Sequence, residues 1–334
     1  VEIDRWTLGN RTVESVSAGN WHSCALLDDG SVACWGQNNK GQLGDNTTTE
    51  RHTPTQTASL GDNRTAVSVS AGDGFTCVVL DDGSVACWGA NDHGQLGSSI
   101  GFGVDLPNWV ELGGGLGAVA ISAGLMHTCA ILENGSLKCW GWNQYGQLGL
   151  NSTDSTGDPS EASTLDLGDG RTAIAVSAGI EHTCAILDNY SLSCWGRNSE
   201  GQLGLGNTTS HSEPMAVDLG ADRTAVSLTV GEYHTCAVLD DATLWCWGDN
   251  SDDQLGHSGS GTSPQQTDTS FYSGYSSDWG VLMASGGQTH TCAILDTGRM
   301  QCWGEGGSGE LGNGGTNDYP RPRLVGDSSD LAHL

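Results

Sequence analysis

The chain has 334 residues, 40 of them acidic and 12 basic, for a formal net charge of −28. Phosphate backbones are bound chiefly by counterion release to Lys and Arg, so so anionic a chain excludes nucleic acid as an expected partner; the charge reads as a solubilising surface, with attraction of cations or a basic partner as the alternative. The 51 glycines follow no Gly-X-Y period, which points to many turns rather than collagen, and no apolar run approaches the ~18 residues of a membrane span.

In chain order, Ile3-Asp4-Arg5-Trp6-Thr7-Leu8-Gly9 and Asn10-Arg11-Thr12-Val13 match later segments such as Leu60-Gly61-Asp62-Asn63-Arg64-Thr65, so the chain begins inside a repeat. Val16-Ser17-Ala18-Gly19 then reads as a short strand ended by glycine, with counterparts up to Ala284–Gly287. Next comes Cys24-Ala-Leu-Leu-Asp-Asp-Gly-Ser-Val-Ala-Cys34-Trp35-Gly36: two apolar β-prone runs around a tight-turn signal, the pattern of a β-hairpin. The register follows from the turn. If Asp28, Asp29 and Gly30 form a three-residue loop with Gly30 left-handed, facing residues have numbers that add to 58, and Cys24 lies opposite Cys34. Facing β-carbons are about 4.5–5.5 Å apart, within reach of a disulfide.

The hairpin recurs at 24–34, 77–87, 129–139, 184–194, 236–246 and 292–302. The fourth and fifth copies have Asp188-Asn189-Tyr190 and Asp240-Asp241-Ala242 in place of a glycine-bearing turn, which predicts a different turn there. A polar loop with the signature Gly41-Gln42-Leu43-Gly44 follows each hairpin, its Leu the expected anchor. A variable Ser/Thr-rich stretch then leads, often through a proline (Pro54, Pro107, Pro159, Pro214, Pro264), to a last short strand; proline suits an outer edge. Four strands recurring every 52 to 56 residues are the signature of a β-propeller. We expect a single all-β domain over 1–334, a propeller of six four-stranded blades with one disulfide inside each hairpin.

The pairs are therefore Cys24–Cys34, Cys77–Cys87, Cys129–Cys139, Cys184–Cys194, Cys236–Cys246 and Cys292–Cys302. A zinc site using His22 with Cys24 and Cys34 is the competing reading, but structural zinc sites usually bring cysteines two to four residues apart, and no metal or other cofactor is expected. Persistent disulfides imply an oxidising compartment, so the protein is expected to be secreted or displayed on a cell surface. Val1-Glu2-Ile3-Asp4 lacks the basic and apolar regions of a signal peptide, so an export signal would lie outside this sequence.

The combination of Val-Ser-Ala-Gly, His-Thr-Cys-Ala-Ile-Leu, Asp-x-Gly-Ser, Cys-Trp-Gly and Gly-Gln-Leu-Gly resembles the repeat of the regulator of chromosome condensation (RCC1) family, and the resemblance covers essentially the whole chain. It implies a β-propeller. Family functions range from nuclear guanine-nucleotide exchange to secreted bacterial proteins, so fold leaves function open. The best-known members have seven blades; this chain has six hairpins, consistent with a six-bladed ring or an incompletely closed array. The cysteine pairs and the acidity argue against exchange and chromatin roles. Both Ile3–Leu8 and Pro322-Arg323-Leu324-Val325 resemble the outer strand, leaving seven outer strands for six hairpins. Either one terminal segment completes a blade and the other hangs loose, or the surplus strand pairs with another copy.

Candidate chemistry is sparse. His22, His127, His182, His234 and His290 recur two residues before a cysteine, and Phe75 replaces them once, which suggests packing with a local hydrogen bond rather than catalysis. Asp-Asp-Gly lacks the spacing of a calcium loop. No nucleophile with a neighbouring base stands out of the repeat, so the protein is read as non-catalytic. Sequons at Asn10, Asn46, Asn63, Asn134, Asn151, Asn189 and Asn207 are candidate glycosylation sites. Binding is expected where repeats differ, on the loop end opposite the Asp-Asp-Gly tips, at Trp21, Met126, Tyr233, Trp142 and Tyr145, with His93 and Lys40 nearby. The expected role is an extracellular scaffold that binds a protein or cell-surface component; the rivals are a self-assembling filament or surface-layer subunit and a glycan-binding propeller.

Overall fold

The computed structural model describes residues 11–98, 103–259, 261–269 and 279–326, which are strands, turns and loops. They fall into two units, Val1–Ala178 and Gly179–Leu334. In the first unit, blade one consists of β1 (Val13–Ala18), β2 (His22–Leu27), β3 (Val32–Gly36) and β4 (Arg51–Gln56). Blade two consists of β5 (Ala66–Ala71), β6 (Phe75–Leu80), β7 (Val85–Gly89) and β8 (Val104–Val110), and blade three of β9 (Ala118–Ala123), β10 (His127–Leu132) and β11 (Leu137–Gly141). The unit ends with β12 (Ala173–Ala178). The second unit holds β13 (His182–Leu187), β14 (Leu192–Gly196) and β15 (His211–Ala216) of blade four. Blade five follows with β16 (Ala225–Val230), β17 (His234–Leu239), β18 (Leu244–Gly248) and β19 (Gln265–Gln266). Blade six consists of β20 (Val281–Gly286), β21 (His290–Leu295), β22 (Met300–Gly304) and β23 (Tyr319–Leu324). Strands pair antiparallel in chain order, as in a propeller blade.

The hairpin register is the expected one: Cys24 faces Cys34 and Leu26 faces Val32, with Gly30 left-handed at φ 74°. All six cysteine pairs are bonded at a Cα–Cα distance of 4.1 Å. The two glycine-free turns do not turn differently. Tyr190 and Ala242 both adopt φ 63° and donate to Leu187 and Leu239 as Gly30 does to Leu27. A left-handed non-glycine residue costs roughly 1–2 kcal/mol. That cost is accepted because any other turn would slip the register and part the cysteines.

The faces of each hairpin have distinct partners. In the first unit, Cys24, Leu26, Val32 and Cys34 of blade one pack against Val78, Leu80, Ala86 and Trp88 of blade two. The Trp88 indole N–H and the Thr76 hydroxyl both donate to the Gln42 carbonyl, at 2.9 and 2.8 Å. Blade three repeats this on blade two, with Trp140 and Thr128 donating to the Gln95 carbonyl. Within the second unit, Trp247 and Thr235 donate to Gln202, and Trp303 and Thr291 to Gln254. Inner strands are tied together by a side chain: the Ala71 amide donates to Ser17 Oγ and the Gly286 amide to Thr229 Oγ1, each at 2.9 Å.

Blade three departs from four strands, with a single bridge between Gly141 and Thr156 where an outer strand is expected. Asp158-Pro159-Ser160 forms a turn instead, the Asp158 carboxylate accepting the Ser160 amide and hydroxyl. The buried Lys138 ammonium donates to the Leu112 and Pro159 carbonyls at 2.8 and 2.7 Å, replacing ladder bonds that the strand would have made. At the other end of the chain, β23 pairs with β22 and completes blade six from within its own repeat. The expected counterpart at Ile3–Leu8 lies outside the described residues.

Candidate interaction surface

Each blade places its two variable loops at one end. The loop after the inner strand and the loop after Cys-Trp-Gly meet through backbone bonds: the Gln37 amide donates to Trp21 O, Trp142 to Met126 O and Asp249 to Tyr233 O. The hairpin tips lie at the opposite end, as the alternation of strand direction requires. The sequence-predicted positions thus share one end of their own blades, while their surroundings differ.

In the first unit Trp21 is 66 % exposed and Met126, Trp142 and Tyr145 are half-buried. Trp142 sits between His93 and Tyr145, with ring centroids 5.8 Å from each, tilted against the first and edge-on to the second. Such contacts are worth ~0.5–1.5 kcal/mol each and hold the indole as a fixed platform. Lys40 pairs with Asp92 at 3.6 Å, both exposed. Partial burial raises the Asp73 carboxyl above its ordinary value, opposed by a hydrogen bond from Asn20 and by the charge of Lys40.

In the second unit Tyr233 is not a free platform. The Arg197 guanidinium lies 5.0 Å from its ring centre and also donates to the Glu181 carboxylate. Burial pushes Glu232 up, helped by the neighbouring charges of Asp249 and Glu181 and opposed by hydrogen bonds from Gln288 and Tyr233. This unit therefore presents an acidic, cross-linked rim, and the first unit an aromatic one.

The histidines are structural, though their bond is not local. His22 Nε2 lies 2.8 Å from Thr76 Oγ1 in the next blade. That hydroxyl's proton is committed to Gln42, so His22 donates Nε2–H and Nδ1 is the bare base, without a partner among the described residues. Burial lowers the His22 and His234 pKa to about 4 and that of His127 to about 3. Sequence reasoning missed the Thr of His-Thr-Cys and the buried Gln of Gly-Gln-Leu-Gly as the joint between blades. The recurrence of both at fixed offsets from cysteine was the available signal.

Asn46, Asn63, Asn134, Asn151, Asn189 and Asn207 are all exposed, and Asn10 lies outside the described residues. At the hairpin tips the Asn134 and Asn189 side-chain oxygens accept bonds from the Ser of their own sequons. Among the described residues no cysteine is free and no group of three or more His, Cys, Asp or Glu is placed to hold a metal ion; no helix is long and apolar enough to cross a membrane.

Comparison with known proteins places this architecture. The family described as RCC1-like domain matches residues 2–293, and the regulator of chromosome condensation (RCC1) repeat matches 283–310. The chain is 32 % identical over 323 residues to the ultraviolet-B receptor UVR8 of Arabidopsis thaliana, covering 96 % of this chain and 72 % of that one. It is 27 % identical over 302 residues to the human E3 ubiquitin-protein ligase HERC2, covering 90 % of this chain and 6 % of that one, so any likeness to the ligase is confined to a small part of it. Among solved structures, human WBSCR16 superposes with a TM-score of 0.83 at 21 % identity, over 95 % of this chain and 82 % of that one. Yeast RCC1 (Prp20) in complex with Kap60 superposes with a TM-score of 0.77 at 21 % identity, over 94 % and 74 %. With its six disulfide-closed hairpins in propeller blades, this chain belongs to the RCC1-like domain family.

Proposed function

We propose that the protein is a non-catalytic, exported interaction scaffold that binds a protein or cell-surface component through the loop end of the first unit, which bears Trp21, Met126, Trp142 and Tyr145. The observation that carries this reading is the contrast within each blade. The shared residues are buried in blade–blade joints, whereas the largely exposed Trp21 and the His93–Trp142–Tyr145 cluster stand on the loops that differ. Fixed aromatics on a polar rim are the usual anchors of interfaces. The family supports the general role: yeast RCC1 has been crystallised bound to Kap60. Export is supported by the six disulfides, which the cytosol would keep reduced.

The test is comparative capture from the extracellular fraction of the producing cells, with wild type and the Trp21→Ala/Trp142→Ala variant immobilised in parallel. A protein retained by wild type and at least about tenfold depleted by the double variant supports the reading, since losing two anchors costs more than the ~1.4 kcal/mol that a tenfold change represents. Equal capture by both rejects this surface. Retention of purified oligosaccharides on a glycan array, lost in the same variant, would favour the lectin reading instead.

A further inference from the structure

The hairpin tips of the first unit differ in one respect that the turn itself does not require. In blade one, one carboxylate oxygen of Asp29 accepts the Ser31 amide and hydroxyl, and the other meets Arg11 of the lead-in at 3.3 Å. Blade two repeats this, with Asp82 holding Ser84 and pairing with Arg64 at 2.6 Å. In blade three both members of the ion pair are absent. Asn134 stands in place of the aspartate, and Leu116, in place of the arginine, packs against the core instead of reaching the tip. The residues before it are Gly113, Gly114 and Gly115, so the lead-in brings no side chain over this tip. The turn survives, because Asn134 Oδ1 accepts the Ser136 amide at 3.0 Å and its hydroxyl at 2.7 Å. A backbone amide can only donate, which fixes the oxygen toward Ser136 and puts Nδ2 where the second carboxylate oxygen would meet an arginine. Asn134 is exposed, and its Nδ2 donates no hydrogen bond among the described residues.

We propose that Asn134 carries an N-linked glycan and that the hairpin tip of blade three is built to present it. Asn134-Gly135-Ser136 is a sequon. A sequon arising by chance would leave the arginine clamp in place; here the charge pair and the side chain over it are missing together, and a free carboxamide remains on open surface. The donor class is a lipid-linked oligosaccharyl diphosphate. A bond forms between Asn134 Nδ2 and the anomeric carbon of the sugar, the bond from that carbon to the diphosphate oxygen breaks, one amide proton is lost to the transferase, and the lipid diphosphate leaves. In the second unit Asn207 offers a contrast: its Nδ2 donates to the Leu205 carbonyl at 3.1 Å and its Oδ1 accepts the Thr209 amide at 2.8 Å, so that carboxamide is tied into its own loop and is expected to stay unmodified. The inference rests on the export proposed above. It uses no residue of the loop end: a glycan on this tip lies at the opposite end of blade three from Trp142 and leaves that surface bare.

The test is peptide mapping by mass spectrometry, read as intact glycopeptides, of the full chain purified from the culture fluid and from the cell fractions of the producing cells, for wild type, Asn134→Asp and Ser136→Ala. In wild type the peptide holding Asn134 should carry a glycan in most molecules, and the peptide holding Asn207 should be bare. Both variants should lose the glycan mass from the first peptide. Asn134→Asp restores the tip residue of blades one and two, so its fold should be unchanged, as far-UV circular dichroism and melting check; Ser136→Ala keeps the acceptor asparagine, so loss there shows that the modification is read through the sequon. An extracellular chain with unmodified Asn134, a glycan on Asn207 to the same extent, or a modification that persists in Ser136→Ala overturns the proposal and leaves export standing. A chain confined to the cytosol overturns the export reading and this inference with it.

Discussion

Replacing His22 by Phe should remove about 2 kcal/mol of acid sensitivity from the fold. The His22 imidazole is buried against Thr76, and its pKa falls from 6.5 to about 4 by desolvation. Because the folded pKa lies below the unfolded one, the unfolded chain binds more protons as pH falls through 6.5. The histidine's contribution is thus complete above pH ~6.5 and is lost as pH drops toward 4. Integrated to pH 5, the loss is about 2 kcal/mol, and His127 and His234, lowered to about 3 and 4, each add a similar amount. His290 is lowered in the same sense, while the raised carboxyls of Asp73 and Glu232 oppose it more weakly, being partly exposed. Phe75 shows that a blade accepts the aromatic ring without the base. Urea unfolding at pH 7.5 and 5, followed by tryptophan fluorescence and far-UV circular dichroism together, should show a smaller pH difference for His22→Phe than for wild type, by that amount. An unchanged pH difference, or a His22 resonance titrating near 6.5, would refute the burial argument.

The left-handed turn residues Tyr190 and Ala242 give a second expectation: Ala242→Gly and Tyr190→Gly should each raise stability by roughly 1 kcal/mol, read as a higher melting temperature, because the turn geometry is already that of glycine. Lys138→Met should destabilise by about 2–4 kcal/mol, since it strands the Leu112 and Pro159 carbonyls inside blade three; a neutral result in chemical denaturation would mean that water replaces the ammonium without loss. Gly204→Ala should be poorly tolerated, as the added methyl would lie 2.7 Å from the Trp247 indole nitrogen at a φ of +72°; thermal unfolding at least several degrees lower is expected. Thiol labelling of the unreduced, denatured chain should modify none of the twelve cysteines, and reduction should lower stability by ~2–3 kcal/mol for each hairpin opened.

The hairpins were legible because their information is local. A turn, a pair of cysteines and an alternation of faces settle the register without reference to anything else in the chain, and Cys24 does face Cys34. The outer strands were less legible. Pro159 resembles Pro54 in position, yet an Asp before it and a Lys at 138 convert the strand of blade three into a turn, a result that depends on side chains twenty residues apart. The turns at Tyr190 and Ala242 were misjudged from residue preference alone, because the cross-links of the whole hairpin outweigh the preference of one residue. That the variable loops share one end of each blade was legible, since loops that differ are visible in the repeat. Its character was not: Arg197 reaching Tyr233 and His93 reaching Trp142 are contacts between blades, and their sequence separation carries no local signal.

The same distinction bears on where function can reside. His22, Thr76, Gln42 and Trp88 form one connected joint, in which the Gln42 carbonyl accepts two hydrogen bonds and the Thr76 hydroxyl donates one while accepting another. Each of these groups is committed to the fold, and drawing any of them into ligand binding would leave a buried polar atom unpaired at ~1–3 kcal/mol. Under the proposed function, binding can act without dismantling the blades only through groups that the joint does not use, which are the loop-end residues that vary. A variable loop can be matched to a partner while every joint stays intact, whereas a joint residue is held by the repeat itself and is free to fit only the neighbouring blade.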